Sequence, residues 1–396
     1  MPIRYFTAGE SHGPALSAII EGLPAGLPLS AEQINEDLYR RQQGYGRGGR
    51  MKIETDQVEI TSGVRFGKTL GSPVTLVVVN KDWKNWTEKM SITPLDNYDS
   101  IQKVTRPRPG HVDLGGMVKY EFDDARNVLE RSSARETTMR VAVGAVAKSL
   151  LHELGIEIVG YLVSLGDITA KPIPSDISIA TIKEKTNNSP FRIFDNSVED
   201  SMKAAVDTAK RNGDTLGGIL EVIAEGLPVG LGSYVQWDKK LDGRLAQAVM
   251  SIQAIKGVEI GMGFDGARKP GSQVHDALYV ENGTIYRKTN RAGGLEGGVT
   301  NGERLIIRAA MKPIATLMYA LESVNLTSMS PEKASVERSD VCAAPAAAVI
   351  AEAVVAIELV KSLQEKFGED TVSEMKQNIT HYQSKFPYLK SRLTAY

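Results

Sequence analysis

Two pairs of segments align with each other inside the chain, and this internal repeat limits the possible folds more than any other feature of the sequence. GESHGPALSAIIEGLPAGL (9–27) aligns without a gap with GDTLGGILEVIAEGLPVGL (213–231). ERSSARETTMRVAVGAVAKSLL (130–151) aligns with ERSDVCAAPAAAVIAEAVVAIE (337–358) at nearly the same offset. The chain is therefore predicted to contain two halves of similar fold, related by a pseudo-twofold axis.

The limits of the repeat divide the chain into four parts. We expect half-repeats at about 1–160 and 205–365, a joining segment at 167–200, and a C-terminal helix and tail at 366–396. Each half contributes one helix rich in alanine and valine, and two such buried helices can pack closely. The whole chain is expected to form a single domain.

The spacing of apolar residues predicts the elements of the two halves. Helices are predicted at 30–42, 134–154, 199–212, 239–255 and 344–365. Strands are predicted from alternating or β-branched runs at 57–64, 72–80, 218–227 and 303–311. Because strands and helices do not alternate strictly, the predicted fold class is α+β with mixed or antiparallel sheets.

The overall composition excludes several classes of protein. The 396 residues carry a net charge of −1, which gives no sign of a polyanionic partner such as nucleic acid. A single cysteine, Cys342, excludes an internal disulfide framework and is typical of a reducing compartment. The first residues lack the apolar run of a signal peptide, and the most apolar segment, 345–360, is too short to span a bilayer. We therefore expect a cytoplasmic protein with no membrane partner.

Charged residues stand directly in front of the helix predicted at 134–154. Ser133 is a good N-cap residue, and Glu136 three positions later would complete a capping box. Arg131 and Arg135 flank this cap, where free backbone N–H groups and the helix dipole favour an anion. The stretch predicts a phosphate or carboxylate site, although an ordinary capped helix whose arginines pair with surface carboxylates fits it equally well.

Histidines and arginines gather on turns rich in glycine and proline. His12 lies in GESHG and His111 in RPGHVDL, where an imidazole held near a ligand could act as a general acid at neutral pH. The arginines on such turns or near helix starts are Arg40, Arg41, Arg47, Arg50, Arg106, Arg108, Arg131, Arg135 and Arg338. So many guanidinium groups predict a small ligand with several anionic groups. In the second half, Asp340 aligns with Ser133 and is expected to cap the second long helix.

Other kinds of site find less support in the sequence. There is no H-x-x-x-H or cysteine cluster, so no metal site is expected. Neither a Rossmann fingerprint nor a Walker A sequence is present. GYGRGGR (44–50) could belong to a disordered RNA-binding segment, but its surroundings are not of low complexity and the chain is not basic.

The ordered set of motifs resembles that of the chorismate synthase family. The motifs are GESHG, GYGRGGR, RPGH, ERSSARETT, GDT, KGVEIG, GSQVHD, NRAGGLEGGVTNG, KPIAT and ERSD, and they span about residues 5–360. The resemblance implies a β-α-β sandwich, with long core helices between antiparallel sheets, and a homotetramer. It also implies the 1,4-anti elimination of phosphate from 5-enolpyruvylshikimate 3-phosphate to give chorismate, with reduced FMN as cofactor and no net redox change.

The resemblance also implies roles for individual residues. His12 and His111 would be the acids toward the flavin and the departing phosphate, in an order left open, and Asp340 would relay a proton through flavin N5. The implied substrate-binding residues are Ser11, Arg41, Arg47, Arg108, Arg135 and Arg338. The implied FMN-binding residues are Arg131, Ser132, Ser133, Gln253, Ala254, Gly298, Lys312, Pro313, Ile314, Ala315, Thr316 and Arg338.

Two further hypotheses fit the same residues, and the source of the reduced flavin is open. The chain could be a non-catalytic binding protein for a phosphorylated organic acid, or a flavin oxidoreductase with net redox change. Family members differ in whether they carry an intrinsic NADPH-dependent flavin reductase activity. Because the chain has no added domain or long insertion, we expect an external flavin reductase, with NADPH only as an indirect reductant.

Overall fold

Antiparallel strands and long helices make up the computed structural model of the chain, which describes residues 1–48, 55–96, 100–337 and 339–389. The helices are α1 (Ala31–Gln42), α2 (Asp113–Tyr120), α3 (Arg126–Ser132), α4 (Thr137–Glu153), α5 (Ile179–Asn188), α6 (Glu199–Arg211), α7 (Leu241–Met250), α8 (Ala344–Phe367) and α9 (Val372–Ser384). The strands are β1 (Arg4–Ala8), β2 (Ala15–Glu21), β3 (Val58–Ser62), β4 (Val64–Arg65), β5 (Lys68–Thr69), β6 (Val74–Val79), β7 (Glu157–Leu165), β8 (Ile168–Thr169), β9 (Gly218–Glu225), β10 (Ile255–Ile260), β11 (Leu278–Glu281), β12 (Thr284–Arg287), β13 (Leu295–Glu296), β14 (Val299–Thr300), β15 (Leu305–Met311), β16 (Glu322–Asn325) and β17 (Ser330–Lys333). The predicted α+β fold class is confirmed.

Two antiparallel sheets enclose the long helices. The first sheet has the order β1-β2-β6-β3, and the second has the order β10-β15-β9-β7-β8. Helix α4 contacts β2 of the first sheet, α8 contacts β7 and β9 of the second, and α1 packs against both helices. The apolar side chains of these elements form one continuous buried core.

Helices α4 and α8 approach each other closely at a glycine. A Cβ atom on Gly144 would lie 2.3 Å from the Cβ of Ala353 and 2.6 Å from its Cα. Almost every residue of the first four turns of α8 is buried, which explains why that helix is rich in alanine and valine. The two segments aligned in the repeat therefore form a helix pair at the centre of the core.

The helix starts were predicted well where a local cap decides them and wrongly where it does not. Ser30 caps α1 in a complete capping box with Gln33, as its sequence suggests. At Ser133 the predicted capping box is wrong, because Ser133 caps only a short 3₁₀ turn through the Arg135 N–H. The Glu136 side chain is instead hydrogen-bonded to Arg140, at 3.0 Å. Helix α3, which ends directly before this turn, was not predicted.

Two further helix boundaries differ from the prediction. Asp340 does not cap α8, and the N-cap residue of that helix is Ala343. The Asp340 carboxylate instead accepts hydrogen bonds from Arg47 and Gly48. Helix α7 ends at Met250, five residues before the predicted end, because the chain turns at Ala254, whose φ is +66°, and then enters β10.

The joining segment and the C-terminal segment both contribute to packing. Helix α5 lies in the joining segment and buries Ile179 and Ile182 against Tyr161 and Ile223, on the face of the second sheet turned away from the core helices. Helix α9 forms the peripheral C-terminal helix, and residues 390–396 of the predicted tail lie outside the described residues. Within the described ranges, no helix is long and apolar enough to cross a membrane.

Candidate active site

Three guanidinium groups and two carboxylates form a cluster where α4 and α8 begin; Arg41, Asp56 and Arg135 are buried, and Arg47 and Asp340 are partly exposed. Arg135 Nη2 donates to Asp56 Oδ1 at 3.1 Å, and Arg41 Nη1 lies 3.7 Å from Asp56 Oδ2. Arg47 Nη1 donates to Asp340 Oδ2 at 2.6 Å. Burial and the charges of Arg47 and Arg135 lower the pKa of Arg41 to about 10, against the opposing effect of the two carboxylates. The cluster, defined by these five side chains, thus has an excess of one formal positive charge.

The start of α4 fixes the position of Arg41. The Nε of Arg41 donates to Thr137 Oγ1 at 3.0 Å, and Nη2 donates to the carbonyl oxygen of Ala134 at 3.0 Å. Helix α1 supplies Arg41 from its last turn, so the guanidinium links α1 to the turn before α4. Its position is therefore set by backbone structure and not only by its charged neighbours.

The glycine-rich loop after α1 brings Arg47 to the start of α8. Gly46 has a φ of +85°, and a Cβ atom there would lie 2.9 Å from Val206 Cγ1. Its carbonyl oxygen accepts a hydrogen bond from Val341 N at 2.8 Å. Only glycine allows both this backbone conformation and this close approach. Arg50 and the rest of the loop up to residue 54 lie outside the described residues.

His12 is held by a buried carboxylate and a stacked indole. Its Nδ1 lies 2.9 Å from both carboxylate oxygens of Glu130, and its backbone N–H donates to the same carboxylate at 2.9 Å. The indole of Trp86 stacks on the imidazole, with ring centroids 3.7 Å apart. Ser133 Oγ lies 3.3 Å from Ser11 Oγ, so the His12 loop contacts the turn that precedes α4.

His111 has a similar carboxylate partner. Its Nδ1 lies 2.6 Å from Asp113 Oδ1, and Arg108 donates to both oxygens of that carboxylate, at 2.8 and 3.0 Å. Burial would raise the pKa of Asp113, but the hydrogen bonds from His111 and Arg108 hold it well below its usual range. Arg108 Nη1 also donates to Thr316 Oγ1 at 3.1 Å. All three guanidinium nitrogens of Arg108 thus have partners within the chain.

Hydrogen bonds connect the turn before α4 with the His111 loop. Gln253 Nε2 donates to Glu136 Oε2 at 3.3 Å, and the carbonyl oxygen of Ala254 accepts from Lys312 N at 2.9 Å. Lys312 Nζ then donates to the carbonyl oxygen of Gly110 at 2.7 Å. Gln253 Oε1 is buried and has no hydrogen-bond partner among the described residues. Both histidines therefore belong to one connected region.

The remaining residues of the KPIAT motif are close to this region. The carbonyl oxygen of Ile314 accepts from Thr215 Oγ1 at 2.8 Å. A Cβ atom on Gly110 would lie 3.5 Å from the Cβ of Ala315. Pro313 stands between Lys312 and Ile314, so the whole motif follows the end of β15 beside the His111 loop.

Several other residues predicted to bind FMN have hydrogen-bond partners within the chain. Arg131 is exposed and donates to the carbonyl oxygens of Thr7 and Gly9, at 2.9 and 3.0 Å. Ser132 Oγ donates back to its own helix at 2.8 Å. The carbonyl oxygen of Gly298 accepts from the start of α7, whereas Gln253 and Ala254 follow the end of that helix. Arg338 lies outside the described residues.

Four residues of the site were missed by the sequence reasoning. They are Asp56, Trp86, Asp113 and Glu130. Asp113 could have been found, since it follows His111 by two positions in a turn. Glu130 is the first residue of the ERSSARETT motif, but His12, which it contacts, is 118 positions away. Asp56 and Trp86 lie in none of the quoted motifs.

Comparison with known proteins agrees with this geometry. The family model for chorismate synthase matches residues 3–363 of the chain. The chain belongs to the chorismate synthase family. The chorismate synthase of Enterococcus faecalis (strain ATCC 700802 / V583) is 59% identical over 382 residues, which cover 96% of this chain and 98% of that protein. That of Geobacter sulfurreducens (strain ATCC 51573 / DSM 12127 / PCA) is 59% identical over 388 residues, with 96% and 98% covered.

A solved structure extends the similarity to three dimensions. A crystal structure of chorismate synthase has a TM-score of 0.79 to this chain at 43% sequence identity, and the match covers 97% of this chain and 98% of that one. The predicted family is thus confirmed. Membership of the chorismate synthase family also confirms the predicted enzyme class, a lyase of chorismate biosynthesis.

Proposed function

We propose that this chain converts 5-enolpyruvylshikimate 3-phosphate to chorismate by 1,4-anti elimination of phosphate, with reduced FMN and without net redox change. The observation that carries the proposal is the buried cluster of Arg41, Arg47 and Arg135, connected to two histidines that each have a carboxylate partner. A substrate with two carboxylates and a phosphate needs such a density of positive charge.

The arginines bind the anionic groups of the substrate. Guanidinium groups form paired, charge-assisted hydrogen bonds with carboxylates and phosphates, and these are strong where water is excluded. Positive charge fixed around the leaving phosphate stabilises the negative charge that develops on it. Arg41, Arg47, Arg108 and Arg135 take this role, together with Ser11 and Arg338.

The histidines and Asp340 move protons. His12 and His111 are the general acids, one for the departing phosphate and one for the cofactor, and their order stays a prediction. The Nδ1 of each faces a carboxylate, so the other ring nitrogen, Nε2, is the one that would transfer the proton. Asp340 is partly exposed and accepts a hydrogen bond from Arg47, and it is the proposed proton acceptor.

Reduced FMN fits the region beside Gln253. The buried Oε1 of Gln253 lacks a donor among the described residues, and the flavin ring carries an N–H group that could supply one. The proposed binding residues are Arg131, Ser132, Ser133, Gln253, Ala254, Gly298, Lys312, Pro313, Ile314, Ala315, Thr316 and Arg338. When bound, reduced FMN supplies electron density that helps phosphate leave and is recovered as the hydrogen departs.

A homotetramer in the cytoplasm, supplied by an external flavin reductase, completes the proposal. Exposed apolar side chains on the outer face of the first sheet support the assembly: Phe6 is 67% exposed, Val79 53% and Ile19 50%. Phe6 and Ile19 are cross-strand neighbours, so they form a patch that a second subunit could cover. The pseudo-twofold relation between the halves stays a prediction.

An anaerobic assay tests the proposed function. Enzyme, dithionite-reduced FMN and substrate are mixed, and phosphate, chorismate and the flavin absorbance are followed. We expect many phosphates and chorismates per flavin, with the flavin still reduced at the end. Flavin oxidised in proportion to product would indicate an oxidoreductase, and substrate bound without turnover would indicate a binding protein. A second arm with NADPH and oxidised FMN is expected to give no product without an added reductase.

A further inference from the structure

We propose that Tyr45 and Asp207 are positioning residues for Arg47, which they hold at the start of α8. The inference rests on the proposed function only in taking Arg47 as a substrate-binding residue. Asp207 lies on α6, outside every motif that carries the family resemblance. Both residues are assigned their role from their contacts alone.

Tyr45 ties the glycine-rich loop (residues 44–48) to the joining segment and to α6. Its hydroxyl donates to the Asp207 carboxylate, with the two carboxylate oxygens at 3.0 and 3.1 Å. Its backbone N–H donates to the carbonyl oxygen of Pro190 at 2.8 Å. Its ring packs on the fully buried ring of Phe191, with centroids 5.5 Å apart. Backbone, ring and hydroxyl of one residue therefore all fix the same side of the loop.

The opposite side of the glycine-rich loop is bound to the segment before α8. The carbonyl oxygen of Gly46 accepts from Val341 N at 2.8 Å. The two oxygens of Asp340 accept from Gly48 N and from Arg47 Nη1, each at 2.6 Å. The loop is thus a bridge between α6 and the start of α8, and its arginine lies at the second of these attachments.

The bridge needs both attachments because its middle residue is a glycine. Only Gly46 separates Tyr45 from Arg47, and glycine restricts the backbone less than any other residue. A Cβ atom on Gly46 would lie 2.9 Å from Val206 Cγ1, so the loop also contacts α6 directly, one residue before Asp207. If Tyr45 is released, the backbone on that side of Arg47 loses its anchor, and the guanidinium samples more positions.

The Tyr45 hydroxyl and the Asp207 carboxylate are well matched as donor and acceptor. The hydrogen bond to Asp207 raises the pKa of Tyr45, so its hydroxyl stays protonated and remains a donor at neutral pH. Lys203, one turn earlier on α6, donates to Asp200 at 3.3 Å. A hydrogen bond to a carboxylate is charge-assisted, and its loss changes an equilibrium constant by about tenfold or more.

The single cysteine of the chain provides a measure of loop release that does not depend on substrate. Cys342 is fully buried, and a Cβ atom on Gly46 would lie 3.4 Å from the Cβ of Cys342. The glycine-rich loop therefore packs directly on Cys342, and release of the loop should expose the thiol. Local opening of this kind occurs without unfolding of the rest of a protein.

The first experiment measures how fast a thiol reagent modifies Cys342 at pH 8 without denaturant. We expect Tyr45→Ala and Asp207→Leu to accelerate the reaction by about tenfold or more over the wild type. Asp207→Asn keeps an oxygen that can accept from the Tyr45 hydroxyl, so it should restore most of the slow rate. Tyr39→Ala is the matched control, because Tyr39 lies on α1 and is 63% exposed, and its rate should stay within about twofold of wild type.

Low concentrations of urea separate loop release from a general loss of stability. The slope of an opening free energy against denaturant scales with the surface that opening exposes. We expect the modification rate of Tyr45→Ala to rise only weakly with urea, since release of a short loop exposes little surface. A rate as steep in urea as global unfolding would show that the substitution acts on the whole protein, and it would overturn the positioning role.

The second experiment is a double-mutant cycle on substrate affinity. Calorimetry with 5-enolpyruvylshikimate 3-phosphate gives Kd for the wild type, Tyr45→Ala, Arg47→Gln and the double variant. Because only the fraction of protein with Arg47 in place binds fully, Tyr45→Ala should raise Kd about fivefold or more. The same change in the Arg47→Gln background should alter Kd by less than about twofold. Equal losses in both backgrounds would overturn a role that acts through Arg47.

The two experiments keep this inference distinct from the proposed function. A folded Tyr45→Ala protein whose thiol reacts as slowly as in the wild type overturns the inference. If Tyr45→Ala does not fold, Tyr45→Phe and Asp207→Leu replace it, and an unchanged thiol rate with both overturns the inference as well. A wild type that neither binds the substrate nor forms chorismate would refute the proposed function, while the thiol rates would still decide whether Tyr45 and Asp207 hold the loop.

Discussion

Replacing Asp56 with asparagine removes the carboxylate that lies between Arg41 and Arg135. The side chains are almost fully buried, with exposures of 2% for Asp56, 6% for Arg41 and 7% for Arg135. Each ion pair at about 4 Å gains about 4 kcal/mol at the effective dielectric constant that describes proteins best. Losing one partner of a buried pair typically costs about 3–5 kcal/mol. Because asparagine can still accept one hydrogen bond from Arg135, we expect the lower end, about 3 kcal/mol.

The assay is denaturant-induced unfolding at a fixed protein concentration, since assembly makes apparent stability depend on concentration. Asp265→Asn is the control, because Asp265 pairs with Arg268 on the surface and is 67% exposed, and such pairs contribute about 0–1 kcal/mol. Added phosphate should stabilise the Asp56→Asn variant more than the wild type, since the cluster then has two uncompensated positive charges. The reasoning would be refuted if Asp56→Asn lost no more unfolding free energy than Asp265→Asn, or if phosphate stabilised Asp56→Asn and the wild type equally.

Three more substitutions or modifications follow from the structure. Gly144→Ala should destabilise the protein by about 1–3 kcal/mol in denaturant unfolding, because its Cβ would overlap Ala353, whereas Gly243→Ala, with open space around it, should be neutral or stabilising. Asp113→Asn should cost most stability at neutral pH: the pKa of Asp113 is depressed, so its contribution is present above about pH 4 and is lost as pH falls through the folded value. In unfolding curves, the difference in free energy of unfolding between wild type and Asp113→Asn should therefore be smaller at pH 3 than at pH 7. A difference that is the same at both pH values would contradict the assignment. Burial raises the pKa of Cys342 to about 11, so a thiol reagent at pH 8 should modify it only after unfolding, and rapid reaction of the native protein would be inconsistent with its position.

Elements with local signals were predictable from the sequence. Ser30 and Gln33 are close enough in sequence to form their capping box without help from the rest of the chain. The capping predictions at Ser133 and Asp340 failed because distant groups decide those positions. Asp340 is bound by Arg47, which reaches it only because Gly46 lets the loop approach α8. When a group distant in sequence binds a potential capping residue, the local sequence pattern does not reveal it.

The basic groups of the site and Asp340 were predictable from the sequence, but the other acidic groups were not. The arginines and histidines stand on glycine-rich turns, so their motifs identify them directly. The carboxylates that hold them are ordinary residues in sequence: Asp56 follows a loop, and Glu130 lies inside α3. Their role depends on tertiary contacts with Arg135 and His12, and only the structure reveals those contacts.

Substrate affinity in the absence of FMN tests the central claim most directly. Titration calorimetry with 5-enolpyruvylshikimate 3-phosphate compares the wild type with Arg135→Gln, and with Arg268→Gln as a surface control. If the buried guanidinium groups hold the anionic substrate, Arg135→Gln raises Kd at least tenfold, which is about 1.4 kcal/mol, while the control stays within twofold. An Arg135→Gln protein that is folded and binds as tightly as wild type would contradict the account.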